Sequence, residues 1–117
     1  MEPQTAIDAL AALAQETRLK TFRLLVQTGP DGLPAGEIAR RLEVQPATLS
    51  FHLTQLERAG LVTSKRHSRQ IIYAADFGGM RALLTFLTDD CCHGRPEICG
   101  DMTGLADALA TAGRDTG

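Results

Sequence analysis

Tryptophan is absent from this 117-residue chain, tyrosine occurs once and phenylalanine four times. No apolar run approaches the ~20 residues that cross a bilayer, so no membrane partner is expected. The opening stretch MEPQTAIDALAALAQETR mixes acids with apolar residues and lacks the charged-then-apolar layout of an export signal, which predicts a cytoplasmic protein. Internal repeats, low-complexity tracts, a phosphate-cradling glycine motif and a Cys-x-x-Cys pair are all missing. A phosphatase-like reductase loop needs an Arg six positions after its Cys, but those positions hold Glu97, Ile98 and Leu105. The expectation is therefore a protein that is not an enzyme and has no permanent cofactor.

Cysteine is scarce but not scattered. The three present, Cys91, Cys92 and Cys99, fall within nine residues near the C-terminal end. In a reducing cytosol, clustered thiols bind soft ions or do redox chemistry more readily than they form structural disulfides. The formal net charge of −2 argues against a polyanion partner, yet the average hides a division. Residues 37–69 carry six basic side chains (Arg40, Arg41, Arg58, Lys65, Arg66, Arg69) against Glu37, Glu43 and Glu57, whereas residues 76–117 carry three Arg against seven acids. A locally basic segment matters more for phosphate contact than the chain-wide balance.

Apolar content of 44% suits one globular domain. Ile7, Leu10 and Ala14, with Leu13, recur at helical spacing and predict a first amphipathic helix. A second helix is predicted from about Thr17 to Thr28, with Leu19, Phe22 and Val26 on one face, ended by Gly29-Pro30-Asp31-Gly32. Pro34 introduces a short third helix, Ala35 to Leu42, with Ile38 and Leu42 inward. After Glu43-Val44-Gln45, Pro46 opens a fourth that runs to Ala59 and stops at Gly60; two helices joined so tightly resemble a helix-turn-helix. Leu61 to Arg66 and Gln70 to Ala75 then predict a hairpin with a basic tip at His67-Ser68-Arg69. Met80, Leu83, Leu84 and Leu87 mark a fifth helix, Phe77 to Asp89. A weak helix from Met102 to Ala112 closes the pattern. The fold class expected is mainly α with a small β-hairpin, in the order of a winged helix.

On a helical wheel, Leu49, Leu53 and Leu56 share the buried stripe of the fourth helix. Ala47, Phe51, Thr54 and Arg58 fall opposite, with Thr48, Ser50 and Gln55 toward the flanks. Small and hydroxyl-bearing residues near the helix start allow close entry into a major groove. There Thr48 and Ser50 can meet base edges or phosphates and Phe51 a thymine methyl, while Gln45 sits at the entrance. Burial of Phe51 against another helix is the competing expectation. His52 lies nearer the leucines, as a packing or hydrogen-bonding residue. Lys65, Arg66 and Arg69 at the hairpin tip would touch phosphates or the minor groove.

The run LPAGEIARRLEVQPATLSFHLTQLERAGLV followed by RHSRQIIYAAD closely resembles the ArsR/SmtB family of metal- and metalloid-responsive bacterial repressors, over about residues 5–90. The resemblance implies a homodimer with the first and last core helices at its interface. It also implies double-stranded operator DNA as partner, with one recognition helix per protomer, about one turn or ~34 Å apart. Residues 1–90 would form that domain, and residues 91–117 a tail bearing the inducer site. Many arsenic sensors of this kind carry Cys-Val-Cys in the helix before the recognition helix; here it reads GEIARRL. The Asp and His pattern of the zinc sensors is not matched by Asp89, Asp90 and His93 either. What remains, DDCCHGRPEIC, resembles the subgroup in which a C-terminal triad responds to trivalent arsenic or antimony.

Chemistry is consistent with that implication. Trivalent arsenic takes three sulfurs in a pyramid, whereas zinc prefers a closed tetrahedron, commonly with two to four residues between paired Cys, for which His93 would have to supply a fourth ligand. His93 and Arg95 would favour thiolates by nearby positive charge. A Cys91–Cys92 disulfide is disfavoured, because adjacent Cα atoms lie about 3.8 Å apart and bridged ones usually 4.4–6.8 Å. Side chains of adjacent helical residues diverge by about 100°, so joint capture by Cys91 and Cys92 would reshape the end of the fifth helix, with Gly94 and Pro96 turning Cys99 back. Cadmium, lead or zinc as inducer, and a thiol-redox switch pairing Cys99 with Cys91 or Cys92, stay open.

Overall fold

The computed structural model describes residues 1–89. Five helices and three short strands follow in the order α1 (Pro3–Leu13), α2 (Glu16–Thr28), β1 (Leu33–Pro34), α3 (Ala35–Leu42), α4 (Pro46–Arg58), β2 (Val62–His67), β3 (Gln70–Ala75) and α5 (Phe77–Thr88). The helix bounds agree with the sequence reading to within one residue for α2 through α5. The tail expected over residues 91–117, with its cysteine segment and the helix expected at 102–112, lies outside the described residues.

Local chemistry explains the boundaries. Gln15 caps α2, its side-chain oxygen accepting from the Arg18 amide at 2.8 Å. Asp76 caps α5 by accepting from the Gly79 amide at 2.9 Å. At the end of α4, Gly60 takes φ 79°. Its amide donates to Glu57 and the Leu61 amide to Leu56, the paired bonds of a Schellman motif. The same two bonds close α3, from Glu43 to Arg40 and from Val44 to Ala39, but here the left-handed position is held by Glu43 at φ 54° rather than by glycine. That single residue makes the tight turn between the two helices possible.

The sheet contains the expected hairpin, β2 with β3, and adds a third strand to it. Leu33 and Pro34 pair antiparallel with Tyr73 and Ile72, so β3 is central in the order β1-β3-β2. Two residues, one a proline, carry no alternation that could announce a strand. The wing tip is also tighter than expected: His67 pairs with Gln70, leaving a two-residue turn, Ser68-Arg69, with Ser68 at φ 59°. Gly32 lies so close to the Tyr73 carbonyl that a β-carbon there would collide with it.

The core is built from Leu25, Ile38, Leu49, Leu53, Leu56 and Leu61, each 0–1% exposed. Two expected faces turn out otherwise. On α1 the buried residues are Ala6, Ala9 and Ala12, while Ile7 and Leu10 are exposed and Ala14 is the C-cap. On α2, Phe22 is buried with Thr21 and Leu25, but Leu19 faces outward. Alanine lets α1 approach α2 and α4 closely, and that proximity, not side-chain size, sets its inward face. On α5, Met80 and Leu83 are buried, Leu84 is half-buried and Leu87 is exposed.

Candidate nucleic-acid interface

The outer face of α4 and the wing share one feature: every residue expected to contact DNA is exposed. Gln45, Ala47, Thr48, Ser50 and Phe51 line the first part of α4, and Lys65, Arg66 and Arg69 the wing. Leu49, Leu53 and Leu56 anchor the helix from beneath, so its rotation is set by the core and the outer residues are held in place. Phe51 is 59% exposed, as its place opposite the leucines suggested, and the competing expectation of packing against another helix is not met. Its ring stands on the same outer face of α4 as Ala47, Thr48 and Ser50, which are also exposed. Gln45 spends no side-chain hydrogen bond on capping α4, and Pro46 at the helix start removes an amide that would otherwise need one. Thr54, placed with the outer residues by the wheel, is half-buried, and its hydroxyl donates back to the Ser50 carbonyl at 3.0 Å.

Between α3, α4 and the wing lies an open cleft of about 610 Å³ lined by Gly36, Glu37, Ser50, Arg69, Gln70 and Tyr73, among others. It brings Ser50 of the helix and Arg69 of the wing tip to one rim. The basic count of the segment needs revision, however. Glu37 is clamped by Arg40 and by Arg41, whose Nε lies 3.1 Å from its carboxylate. Those hydrogen bonds, chiefly from Arg40 and then from Arg41, hold the Glu37 carboxyl down to about 2. The single Glu37 carboxylate thus offsets one of the two positive charges that Arg40 and Arg41 bring to α3. Among the described residues no carboxylate lies within salt-bridge distance of Arg58, Lys65, Arg66 or Arg69. At the base of the wing, Ser64 donates to Glu57 at 2.5 Å, and burial, with the Glu57 charge behind it, raises the Tyr73 phenol.

His52 is buried, as its place beside the leucines suggested. Its Nδ1 lies 3.1 Å from the Arg18 guanidinium, and burial followed by the Arg18 charge lowers its pKa, so the neutral ring accepts from Arg18. Arg18 also donates from Nε to the Ala12 carbonyl at 2.6 Å, tying the end of α1 to the reading helix. Sequence reasoning missed Arg18. It lies 34 positions from His52, and no local pattern links them.

Residues 13–65 match the model of a family described as a helix-turn-helix domain. Across 82 residues the chain is 32% identical to the transcriptional activator HlyU of Vibrio cholerae, spanning 70% of this chain and 73% of that protein. The solved structure of that HlyU superposes with a TM-score of 0.61 at 31% identity, over 75% of this chain and 95% of its own. The chain belongs to the ArsR/HlyU family of winged helix-turn-helix transcriptional regulators.

A second relative within this family is a candidate arsenical resistance operon repressor, ArsR, of Halobacterium salinarum, 36% identical over 62% of this chain and 56% of its own length. Regulators of this kind bind nucleic acid rather than catalyse, in agreement with the motifs missing from the sequence. Among the described residues no helix is long and apolar enough to cross a membrane, and no three His, Cys, Asp or Glu side chains converge as a metal site. Cys91, Cys92 and Cys99 lie outside the described residues.

Proposed function

We propose that this family member is a homodimeric repressor that occupies double-stranded operator DNA and leaves it when trivalent arsenic or antimony binds Cys91, Cys92 and Cys99. The observation carrying the DNA half is the solvent-facing set Gln45, Ala47, Thr48, Ser50 and Phe51 on a helix locked from beneath by three leucines, flanked by a wing whose basic residues have no carboxylate partner among the described residues. Phe51 and Ala47 would meet thymine methyls, Thr48, Ser50 and Gln45 base edges or phosphates, and Lys65, Arg66 and Arg69 the backbone. Exposed Ile7, Leu10 and Leu87, on helices α1 and α5 that pack together, support a two-fold interface there.

The metalloid half rests on the donor set: three thiols within nine residues match the three-sulfur preference of the trivalent ion. Thermodynamic linkage requires the ion to favour the DNA-free form, typically by about 1–3 kcal/mol. The test is fluorescence anisotropy of an operator duplex titrated with arsenite, for the parent chain and for Cys91→Ser, Cys92→Ser and Cys99→Ser. Release by arsenite in the parent and its loss in the variants is expected. Unchanged release in all three variants overturns the site, and release by peroxide but not by arsenite transfers the trigger to thiol oxidation.

A further inference from the structure

Away from the reading face, a cleft of about 320 Å³ opens between α1, the start of α2 and the second half of α4, lined by Asp8, Ala11 and Ala12, by Arg18, and by Gln55, Arg58 and Ala59. Its volume is at the lower end of the ~300–1,000 Å³ usual for small-molecule sites. Its charges are unbalanced in a specific way. Arg18 is half-buried, and its guanidinium is oriented by the Ala12 carbonyl and His52, neither of which carries a negative charge in this state. Among the described residues no carboxylate lies within salt-bridge distance of Arg18 or of Arg58. A half-buried guanidinium lining a cleft, with no carboxylate within reach, can complete its hydrogen bonding with an anion from solution. The acid at the cleft, Asp8, is engaged through Oδ1 with the Gln4 amide at 2.9 Å and has a second oxygen to accept with.

We propose that this cleft binds a small carboxylate that also bears a hydroxyl or ammonium group. Two guanidiniums suit a carboxylate, which takes paired N–H donors in one plane. Asp8 suits a donor on the neighbouring carbon, and the methyls of Ala11, Ala12 and Ala59 suit a short apolar body. Gln55 supplies one donor and one acceptor to either group. The Arg18–His52 bond makes the site rigid before the ligand arrives, because the neutral imidazole fixes the guanidinium plane. The site is independent of the metalloid reading and is tested with neither DNA nor arsenic present.

The test is a nuclear magnetic resonance titration of the full ¹⁵N-labelled chain with L-lactate and with propionate, its counterpart lacking the hydroxyl. Saturable shifts are expected at the amides of Ala11, Ala12, Gln55 and Ala59, with lactate binding about fivefold tighter than propionate. Arg58 is exposed, so Arg58→Gln leaves the core untouched and is expected to weaken both ligands about tenfold. Asp8→Asn is expected to erase the preference for lactate, and a thermal melt of each variant checks that the fold is retained. Absence of saturable shifts with either acid, equal affinity in Arg58→Gln, or equal binding of lactate and propionate by the parent chain overturns the proposal.

Discussion

Helices α1 and α4 carry apolar residues at the same spacing and use them in opposite ways. In α4 the large residues Leu49, Leu53 and Leu56 point inward and the outer face is small or polar, with Phe51 as the exception. In α1 the inward face is Ala6, Ala9 and Ala12, and the large residues Ile7 and Leu10 are left in solvent. One helix is anchored by bulk, so its other face is free to read. The other is anchored by closeness, so its bulk is free to meet a partner. Apolar size on a helical wheel therefore does not by itself identify the face that the protomer buries.

The contrast is broken most strongly at the leucines. Leu56→Ala removes a fully buried side chain beneath the reading face and is expected to cost about 3–5 kcal/mol in chemical denaturation. A cost near zero would mean that α4 is not held by its inner stripe. The counterpart on α1 is Ile7→Glu combined with Leu10→Glu. Each side chain is worth about 1.5–3 kcal/mol when fully buried, so the pair is expected to convert a dimer to monomer in sedimentation while circular dichroism stays unchanged.

Filling the close contact is the third test: Ala9→Leu is expected to destabilise by about 1–3 kcal/mol in a thermal melt, because no room exists for the added carbons. On the outer face of α4, Phe51→Ala is expected to leave the melt unchanged and to weaken operator binding by about 1–2 kcal/mol in anisotropy titrations. The smallest effect is expected at the turn feeding α4. Glu43→Gly relieves a left-handed position and is expected to raise stability by about 0.5–1 kcal/mol.

Much of this was legible in the sequence because it depends on neighbours in the chain. Gly60 after a leucine-spaced run announces a helix end, and Pro46 a helix start, whatever else the protein does. Solvent exposure of Thr48 and Ser50 followed from the same periodicity, and that of Gln45, Lys65, Arg66 and Arg69 from their places at the helix entrance and the hairpin tip. Other features were not legible, since they depend on residues far away. β1 exists because Tyr73 and Ile72 are there to pair with Leu33 and Pro34. The clamp of Glu37 on Arg40 and Arg41 was within reach of helical spacing, and it reduces the basic charge left over for phosphates. Arg18 acquires its role only because α2 lays it against His52.

Sequence alone determined the order of the helices and the wing, the helix-turn-helix spacing, the outward placement of the candidate DNA-contacting residues and the thiol cluster, because helix period, caps and turn residues act over a few positions. Only the tertiary structure decided which face of α1 is inward, that Leu33 and Pro34 form a strand and that Arg18 and Arg58 line one cleft. Burial and charge balance are properties of the surfaces that meet, and those are chosen when distant segments pack.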